Sequence, residues 1–375
     1  MKNHKIRVGI VGLQPGRSWA AVAHIPALRY LSDEFEIVGV ENSSLKSSRA
    51  AADACGIPQA FDSVSEMAAS SDIDLIVVTV KVPGHYGVLE KVLSAGKHVY
   101  CEWPLAKNLA EAQALAELAR QKKVLAVIGT QSRMNPAVCE LARLVKSGYV
   151  GKLRSVSVSG WGRIWGDVIE SLSTDEYLLK RENGATMLTI PFAHTLAAFQ
   201  DVHGDFASLS SVLETRIPHV YAPETGQYVS MDAADQIIVT GLMNSGAPFS
   251  IHFRGGEPRG TEGFVWDIHG SEGDLRVTGE NGMTQIMPLM LKGGRGEERS
   301  LSQLPIPDGL SAPAEPVSGN VARVYKRLAA DLRNGTRTAP DFDDAVRLHR
   351  LIDTIVLASK SGERLPAAVS NRELP

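Results

Sequence analysis

The sequence predicts an α/β protein with two domains, the first built on a doubly wound parallel sheet and the second on a large open mixed or antiparallel sheet. Strand-like apolar runs alternate with helical segments through the first third of the chain. Consecutive strand-like runs without intervening helices follow. The length of 375 residues suits about two domains of ~150 residues. We therefore place the domains at 1–134 and 135–375.

Composition and charge argue against several classes of protein. The net charge is −3, so no strongly basic surface points to nucleic acid or an anionic membrane. No apolar run reaches the ~18 residues of a membrane span, and the first strand-like run begins too early for a signal peptide. The three cysteines are too few and too scattered for a disulfide framework or a metal cluster. We expect a cytoplasmic protein without a metal site.

The beginning of the chain has the pattern of a dinucleotide site. The strand-like run Ile6–Leu13 leads into a glycine-bearing turn, Gly12–Gly16, and then into a small-residue helical segment, Trp19–His24. Glycines let the backbone approach a pyrophosphate, and the helix N-terminus offers free N–H groups. Gly12 fits the first glycine of the motif and Gly16 the second, in a loop longer than G-x-G-x-x-G. An ordinary strand–helix turn is the alternative interpretation.

The end of the second predicted strand, Glu36–Val40, bears on the choice between NAD and NADP. An acidic residue here normally binds the adenosine ribose, whereas a 2′-phosphate favours hydroxyls and cations. The chain offers both kinds of group, namely Glu41, Asn42, Ser43, Ser44, Lys46 and Arg49. The sequence therefore permits either cofactor. Lys46 and Arg49 equally suit the solvated face of a helix that ends before Gly56.

Three further strand-like runs complete the predicted parallel sheet, with helices between them. The strands are Asp74–Val80, Lys97–Cys101 and Val124–Ile128, and the helices are Gly84–Ala95 and Ala110–Lys122. Asn108 with Glu111 is typical of a capping box. Ligands of such sheets bind beyond the carboxyl ends of the strands, so we expect the loops there to line a site.

The C-terminal part begins with a helix over Pro136–Ser147, after which strand-like runs predominate. Its strand-like runs are Leu153–Gly162, Leu209–Ile217, Asp235–Leu242, Pro248–Phe253, Gly263–His269 and Asp274–Val277. A helix over Gly184–Phe199 carries His194, and helices Val321–Arg333 and Asp343–Ser359 close the chain. We expect Lys292–Asn320, rich in Gly, Ser and Pro, to be a surface loop.

Several blocks of the chain resemble the Gfo/Idh/MocA family of nicotinamide-dependent oxidoreductases. They are VGIVG at Val8–Gly12, HIPAL at His24–Leu28, AGKHVYCEWP at Ala95–Pro104, and Arg133 with Pro136. The blocks WAAVAHIPAL, VKVPGHY, IGTQSR and DIHGSEGDL are similar to the family branch that contains a fungal repressor of galactose genes, a dinucleotide-binding sensor. The resemblance implies a Rossmann domain and a C-terminal α/β domain whose open sheet forms a homodimer or homotetramer interface.

Two positions depart from the pattern of the family's enzymes. Those enzymes carry Glu-Lys-Pro, with the lysine on the substrate hydroxyl, and an aspartate four residues before a helix histidine. This chain has Trp103 in place of the lysine and Ile190 in place of the aspartate, and it keeps the histidine as His194. The galactose-repressor branch resembles this chain in having tryptophan at position 103.

Oxidation of an alcohol by NAD(P)+ requires a group that takes the hydroxyl proton. His194 is the first candidate, because an imidazole titrates near neutral pH, although packing in the core is the alternative role. Lys81 is the second candidate, with cofactor binding or a loop edge as alternatives. We expect NAD or NADP to contact Gly12, Leu13, Gly16, Trp19, Asn42, Ser43, Lys46, Val80, His85, Glu102, Trp103 and Gln131.

Three of these contacts have specific interpretations. Glu102 resembles the family glutamate near the nicotinamide ribose. We expect Trp103 to form a wall of the nicotinamide pocket, with a cis bond before Pro104. His85 either contacts the cofactor or caps its own helix.

The sequence favours an NAD(P)-dependent oxidoreductase that acts on a sugar, a polyol or a related small hydroxy compound. A carbohydrate-like ligand suits the aromatic and polar residues Trp161, Arg163, Trp165, Asp167 and Tyr177, although surface packing explains them nearly as well. The alternative function is a non-catalytic dinucleotide-binding sensor with a protein partner, which the loss of the lysine and the aspartate favours. A third is a redox-neutral reaction in which hydride leaves and returns.

Overall fold

The structure is a computed structural model that describes residues 4–260, 262–307 and 312–367. Contacts between Cα atoms divide them into two units, one formed by 4–131 with 312–346 and the other by 132–260, 262–307 and 347–367. The predicted domains 1–134 and 135–375 divide the chain by sequence order and stay a prediction.

The strands of the parallel sheet precede those of the mixed sheet along the chain, as the sequence predicts. The strands are β1 (Ile6–Val11), β2 (Phe35–Glu41), β3 (Gln59–Phe61), β4 (Leu75–Val78), β5 (His98–Glu102), β6 (Ala126–Gly129), β7 (Leu153–Gly162), β8 (Phe206–Glu214), β9 (His219–Ala222), β10 (Gln227–Ser230), β11 (Gln236–Met243), β12 (Pro248–Gly255), β13 (Phe264–Gly270), β14 (Gly273–Gly279), β15 (Met290–Arg295), β16 (Ser302–Gln303) and β17 (Leu365–Pro366). β9 pairs with β10 in a small hairpin.

Most α-helices follow the predicted helical segments, with two short ones added. They are α1 (Ile25–Tyr30), α2 (Leu45–Cys55), α3 (Val64–Ala69), α4 (His85–Ser94), α5 (Leu109–Lys122), α6 (Pro136–Lys146), α7 (Leu172–Asp175), α8 (Ala193–His203), α9 (Pro316–Asn334) and α10 (Phe342–Ser361). The Asn108 side chain caps α5 by accepting a hydrogen bond from Glu111 N at 2.9 Å. The Glu111 carboxylate accepts from Lys107 N rather than from Asn108.

The helices depart from the prediction at three places. The short α3 and α7 are the added ones. The prediction is wrong for the start of the helix over Gly184–Phe199, because α8 begins at Ala193 after a π-helical turn over Leu188–Phe192. The predicted helical segment Trp19–His24 is largely a π-helical turn that leads into α1.

The first unit contains a six-stranded sheet in the order β3-β2-β1-β4-β5-β6. Every pairing in it is parallel. This is the strand order of doubly wound dinucleotide-binding sheets, whose ligands lie across the carboxyl ends of the strands. β4 is buried along its whole length, which explains the unbroken apolar run in its sequence. The predicted fold class is confirmed for this unit.

The second unit contains a nine-stranded mixed sheet in the order β16-β15-β14-β13-β7-β12-β11-β8-β17. β7 pairs in parallel with β12, and the other pairings are antiparallel. One face is buried, with Val156 and Val158 of β7 on it, whereas Ser157 of the same strand is exposed. The alternation of Leu153–Gly162 therefore corresponds to a sheet with one open face.

The prediction of a surface loop over Lys292–Asn320 is wrong at both ends. Residues from Lys292 pair with β14 as part of β15, and α9 begins at Pro316. The glycines of this stretch are packing residues, because a Cβ at Gly293 would lie 2.8 Å from Leu304 Cδ1 and from the Tyr149 hydroxyl. Residues 308–311 of the predicted loop lie outside the described residues.

An aromatic cluster on the buried face of the second sheet holds a histidine without hydrogen-bond partners. The His203 ring lies 4.7 Å from the Phe199 ring and 5.6 Å from the Trp266 ring, measured between centroids. Within the described residues, neither ring nitrogen of His203 has a hydrogen-bond partner. Burial lowers the pKa of His203 to about 3. The imidazole is therefore neutral in the folded protein at neutral pH.

This histidine makes folding stability depend on pH. Below about pH 6.5 His203 takes up a proton in the unfolded chain, whereas in the folded protein it does so only near pH 3. The free energy of unfolding therefore falls as the pH drops from about 6.5 to about 3. We expect His203→Phe to raise the free energy of unfolding at pH 5 by about 1–2 kcal/mol and to flatten the loss between pH 7 and pH 4. Urea unfolding at each pH measures this.

The flattening is expected to be partial, because burial also lowers the pKa of His349 to about 4. His219→Phe, a change at an exposed histidine of β9, is the matched control. An unchanged pH dependence in His203→Phe would mean that this imidazole is hydrated in solution.

Two kinds of site are absent from the part of the chain that the structure describes. Within residues 4–260, 262–307 and 312–367, no helix has the length and the apolar character that a membrane crossing requires. Among the same residues, no three histidine, cysteine, aspartate or glutamate side chains come together as metal ligands would.

Candidate dinucleotide site and catalytic residues

The turn after β1 is shaped by its two glycines. Gly12 has a φ of +94° and Gly16 a φ of +80°, in the left-handed region that favours glycine. A Cβ at Gly12 would lie 2.8 Å from Val80 Cγ1, whereas a Cβ at Gly16 would meet no atom within 4 Å. Gly12 therefore allows the ends of β1 and β4 to approach closely, and Gly16 lies at the open side of the turn.

Side chains from neighbouring strands hold this turn in place. Leu13 N donates to Asn42 Oδ1 at 2.8 Å, and Asn42 Nδ2 donates to Leu13 O at 2.9 Å. The Thr79 hydroxyl donates to Val11 O at 3.0 Å and to Gly12 O at 2.9 Å. The Asn42 amide is thus bonded to the backbone of Leu13. Ser43, Lys46 and Arg49 follow it with exposed side chains.

Glu41, the last residue of β2, is a buried carboxyl beside this turn. Its backbone carbonyl accepts a hydrogen bond from Gly12 N at 3.0 Å. Burial raises the pKa of Glu41 to about 7, and the positive charge of Lys91 opposes part of that rise. The carboxyl therefore changes its charge near neutral pH, next to the glycine turn.

The helix after the turn contains a π-helical turn over Ala20–His24, which continues into α1. Ile25 N donates to Ala20 O, five residues back, and Pro26 follows without an N–H. The widened turn places His24, fully buried, at its end. His24 Nε2 lies 2.9 Å from Glu102 Oε1, and Nδ1 lies 2.7 Å from the Tyr325 hydroxyl.

Glu102 ends β5 and is the centre of a polar cluster at the carboxyl edge of the sheet. Gln131 Nε2 donates to both of its carboxylate oxygens, at 2.8 Å and 2.6 Å. A Cβ at Gly129, the register partner of Glu102, would lie within 2.9 Å of the same oxygens. The Glu102 side chain is 13% exposed, whereas the His24 side chain is fully buried.

His85 connects the loops that follow β4 and β5. Its Nδ1 lies 2.9 Å from Pro104 O and its Nε2 lies 2.9 Å from Val80 O. Burial lowers the pKa of His85, against the effect of these carbonyl oxygens. Because both nitrogens face carbonyl groups, His85 does not cap the N–H groups of α4, and that interpretation is wrong. Contact of His85 with the cofactor stays a prediction.

Trp103 and Lys81 lie on these two loops in different surroundings. The bond between Trp103 and Pro104 is cis, as predicted. Trp103 is only 5% exposed, whereas the Lys81 side chain is exposed directly after the end of β4. Trp19 in the first helix is half-buried. Their roles as cofactor neighbours or proton carriers stay predictions.

His194 lies in the second unit, at the second position of α8, and is 3% exposed. A π-helical turn over Leu188–Phe192 precedes it. Pro191 explains that turn, because the proline has no N–H for Met187 O, which accepts from Phe192 N instead at 3.1 Å. Ile190 lies inside the turn, so this segment has no carboxylate at the position of the family aspartate.

The aromatic stretch predicted to suit a carbohydrate is not one surface. Trp165 is fully buried, and its Nε1 donates to Leu178 O at 2.9 Å. The guanidinium of Arg254 lies 5.6 Å from the centroid of the Trp161 ring. Burial raises the pKa of Tyr177 to about 12. Packing explains Trp165 better than ligand binding does.

All twelve predicted cofactor residues lie in the first unit, and six of them form two contact groups. Three residues that the sequence did not indicate contact these groups. Gly12, Leu13, Asn42 and Val80 meet at the glycine turn, and Glu102 meets Gln131. The added residues are Thr79, His24 and Tyr325. A polar residue at the end of an apolar strand is a signal for Thr79, and a histidine in a small-residue helix is a signal for His24.

Comparisons with known proteins agree with this geometry. A family model described as an oxidoreductase family with an NAD-binding Rossmann fold matches residues 6–130, and a model of the Gal80p C-terminal domain matches 136–279. The galactose/lactose metabolism regulatory protein GAL80 of Kluyveromyces lactis is 30% identical, over 96% of this chain and 95% of that protein. Dehydrogenase aclE of Aspergillus oryzae is also 30% identical, over 96% of this chain and 97% of that protein.

Solved structures show the same fold. A super-repressor mutant of Gal80p from Saccharomyces cerevisiae has a TM-score of 0.91 at 27% identity, covering 99% of this chain and all of that one. Levoglucosan dehydrogenase in complex with NADH and L-sorbose has a TM-score of 0.80 at 17% identity, covering 97% and 99%. At that identity the second likeness concerns the fold alone.

Fold and site together define a Rossmann-type protein with a second α/β domain built on an open mixed sheet. The chain belongs to the Gfo/Idh/MocA oxidoreductase family, in a branch that resembles the Gal80 regulators.

Proposed function

We propose that this protein binds a nicotinamide dinucleotide across the carboxyl edge of the six-stranded sheet and uses it to oxidise or reduce a sugar, a polyol or a related small hydroxy compound. The observation that carries the proposal is the turn after β1. Gly12 brings this turn against the end of β4, and it leads into a helix whose N-terminus favours phosphate. Levoglucosan dehydrogenase, a protein of the same fold, has been solved in complex with NADH, which supports a nicotinamide dinucleotide as the ligand.

Two side chains have the chemistry to exchange the hydroxyl proton. When the bound nicotinamide takes a hydride from the carbinol carbon, the hydroxyl proton has to pass to a base. We assign that role to His194, with Lys81 as the second candidate. The name of the related dehydrogenase aclE supports an enzyme in this part of the family.

A dinucleotide-binding sensor with a protein partner is the second candidate function. Trp103 and Ile190 stand where family enzymes carry a lysine and an aspartate, and the related GAL80 proteins are regulators. Trp103 is an apolar, nearly buried side chain without a group that exchanges protons. This observation favours the sensor.

One experiment tests both functions. Sugars and polyols are screened with NAD and NADP by the absorbance of the reduced nicotinamide, and calorimetry measures dinucleotide binding to the same protein. We expect binding and turnover of at least one hydroxy compound. Tight binding without turnover across the screen would contradict the oxidoreductase and support the sensor. Absence of binding by either dinucleotide would contradict both.

We further propose that Lys46 and Arg49 allow the site to accept the 2′-phosphate of NADP, because both are exposed after β2 and the Asn42 amide is bonded to Leu13. Replacing both cations by alanine is expected to weaken NADP binding by about 10-fold and to change NAD binding by less than about 2-fold. Lys122→Ala with Lys146→Ala, at exposed positions of α5 and α6, is the matched control. Equal losses for the two cofactors would contradict this assignment.

We propose self-association as a homodimer or homotetramer through the open face of the second sheet. The one-sided burial of β7 supports this, since the less buried side chains of the strand are available to another copy. Light scattering coupled to gel filtration measures the mass. A cytoplasmic location stays a prediction from the sequence.

A further inference from the structure

A buried polar chain connects α9 to the end of β5 in the first unit. It runs from the Tyr325 hydroxyl to His24 Nδ1 at 2.7 Å, and from His24 Nε2 to Glu102 Oε1 at 2.9 Å. Tyr325 and His24 are both fully buried, whereas part of the Glu102 side chain is exposed. The chain therefore has a closed end in the core and an open end at the sheet edge.

The acceptor at the open end fixes the proton on His24. A carboxylate oxygen only accepts, so Nε2 of His24 has to carry a hydrogen and donate it. In the neutral imidazole Nδ1 is then the acceptor, and the Tyr325 hydroxyl donates to it. If the ring is protonated, Nδ1 donates to the tyrosine oxygen and the bond from Nε2 to Glu102 is unchanged. In both cases His24 donates to Glu102.

Several donors hold the Glu102 carboxylate. Oε1 receives His24 Nε2 and Gln131 Nε2, and Oε2 receives Gln131 Nε2. The Tyr100 hydroxyl is bonded to the same carboxylate. The Glu102 side chain is 13% exposed, so a ligand at the sheet edge can reach it beside these donors. A vicinal diol of a sugar is a donor of the right kind. Gly129 leaves no side chain between the carboxylate and its neighbouring strand.

We infer that His24 and Tyr325 are positioning residues that orient the Glu102 carboxylate toward a ribose hydroxyl of the bound dinucleotide, on the ribose distal to the adenosine. This inference rests on the proposed dinucleotide binding. The adenosine end lies by the glycine turn and the end of β2, and Glu102 lies two strands away from β1, beyond β4. The bond from His24 Nε2 to Oε1 holds the carboxylate in one orientation at this edge.

Three ligands separate this role from a structural one. ADP lacks the distal ribose, ADP-ribose contains it, and NAD+ contains it with nicotinamide attached. Disturbing the chain is therefore expected to weaken ADP-ribose and NAD+ while leaving ADP within about 2-fold of the wild-type affinity. Calorimetry measures all three dissociation constants, and circular dichroism melting reports whether each variant is folded.

Each variant keeps or removes one hydrogen-bonding group of the polar chain. His24→Gln places an amide donor near the position of Nε2, so we expect affinity for ADP-ribose close to wild type. His24→Asn is shorter, does not reach Glu102, and is expected to lose about 10-fold or more. Tyr325→Phe keeps the ring in the core and removes the hydroxyl alone, for an expected loss of about 3-fold.

The outcomes are distinguishable. Wild-type ADP-ribose affinity in folded His24→Asn and Tyr325→Phe would overturn the positioning role and leave dinucleotide binding intact. A parallel loss of ADP in either variant would also overturn it, since the effect would then be structural. If wild-type protein binds none of the three ligands, the proposed function itself fails.

Discussion

Replacing Gly12 by alanine is expected to weaken dinucleotide binding by about 100-fold. Gly12 has a φ of +94°, and a Cβ there would lie 2.8 Å from Val80 Cγ1 and 3.0 Å from Val80 N. Val80 O lies 2.9 Å from Nε2 of the buried His85 ring, so the backbone of Val80 is packed and does not yield alone. The alanine therefore displaces the turn that we expect to receive the pyrophosphate. Calorimetry with NAD and NADP measures the loss.

Gly148→Ala is the matched control for this change. Gly148 has a φ of +81°, but a Cβ there would meet no atom within 4 Å. Both alanines strain a left-handed backbone, by about 1–2 kcal/mol of stability, and only the one at position 12 also crowds the loop that follows β4. We expect thermal midpoints to fall in both variants and affinity to fall in Gly12→Ala alone. Unchanged affinity in a folded Gly12→Ala protein would show that the dinucleotide does not lie on this turn.

Five of the six strands of the first sheet were predictable because their signals are local, whereas the three-residue β3 was not predicted. A parallel strand buried on both faces requires a continuous apolar run, and Asp74–Val80 contains β4. The glycine after a helix predicts its end, as Gly56 does for α2 with a φ of +63°. β7 has the predicted bounds Leu153–Gly162, since one exposed and one buried face impose period two on its sequence.

The edge of the second sheet was not predictable in the same way. The glycines of β15 give this strand the composition of a loop. Their role in the sheet is to leave room for side chains of other segments, such as Leu304 at Gly293. The short strands β9 and β10 pair with one another and carry too few residues to show a period. Local composition does not contain these contacts.

The candidate site also contains contacts between distant residues that the sequence does not predict. Gly12 and Glu102 are adjacent to their strands, so the motif and the strand order are enough to place them at the sheet edge. Tyr325 meets His24 across 301 residues, and only the return of α9 to the first unit brings the two together. Asn42 reaches Leu13 through the register of β1 and β2. These pairings depend on tertiary structure rather than on spacing.

The side chains support the proposed dinucleotide binding better than the proposed proton transfer. The binding half keeps a full set of polar partners, in which Glu102 is held by His24 and Gln131. The proton-transfer half has apolar residues at Trp103 and Ile190. What separates an enzyme from a sensor in this chain is therefore whether His194 acts without a neighbouring lysine or aspartate from the family pattern.

His194→Ala is expected to lower kcat for any accepted hydroxy compound by about 100- to 10,000-fold, because it removes the base that takes the hydroxyl proton. Dinucleotide affinity is expected to stay within about 2-fold of wild type, since the residues that we expect to bind it belong to the first unit. Steady-state kinetics on the best substrate of the screen measures kcat and KM, and calorimetry measures the affinity. Lys81→Ala, tested in parallel, is expected to have the smaller effect.

His194→Gln and His349→Ala complete the test. Glutamine keeps the volume and a hydrogen-bonding group without a nitrogen that titrates near neutral pH, so it is expected to be as impaired in kcat as alanine. His349 is another buried histidine of the second unit, and its replacement reports what a cavity alone does to turnover. If His194→Ala retained wild-type kcat, proton transfer would pass to Lys81 or to solvent. If His194→Ala and His349→Ala lowered kcat equally, the loss would come from the cavity that each change leaves in the core. Only one imidazole can be the general base, so a catalytic loss is expected at His194 alone.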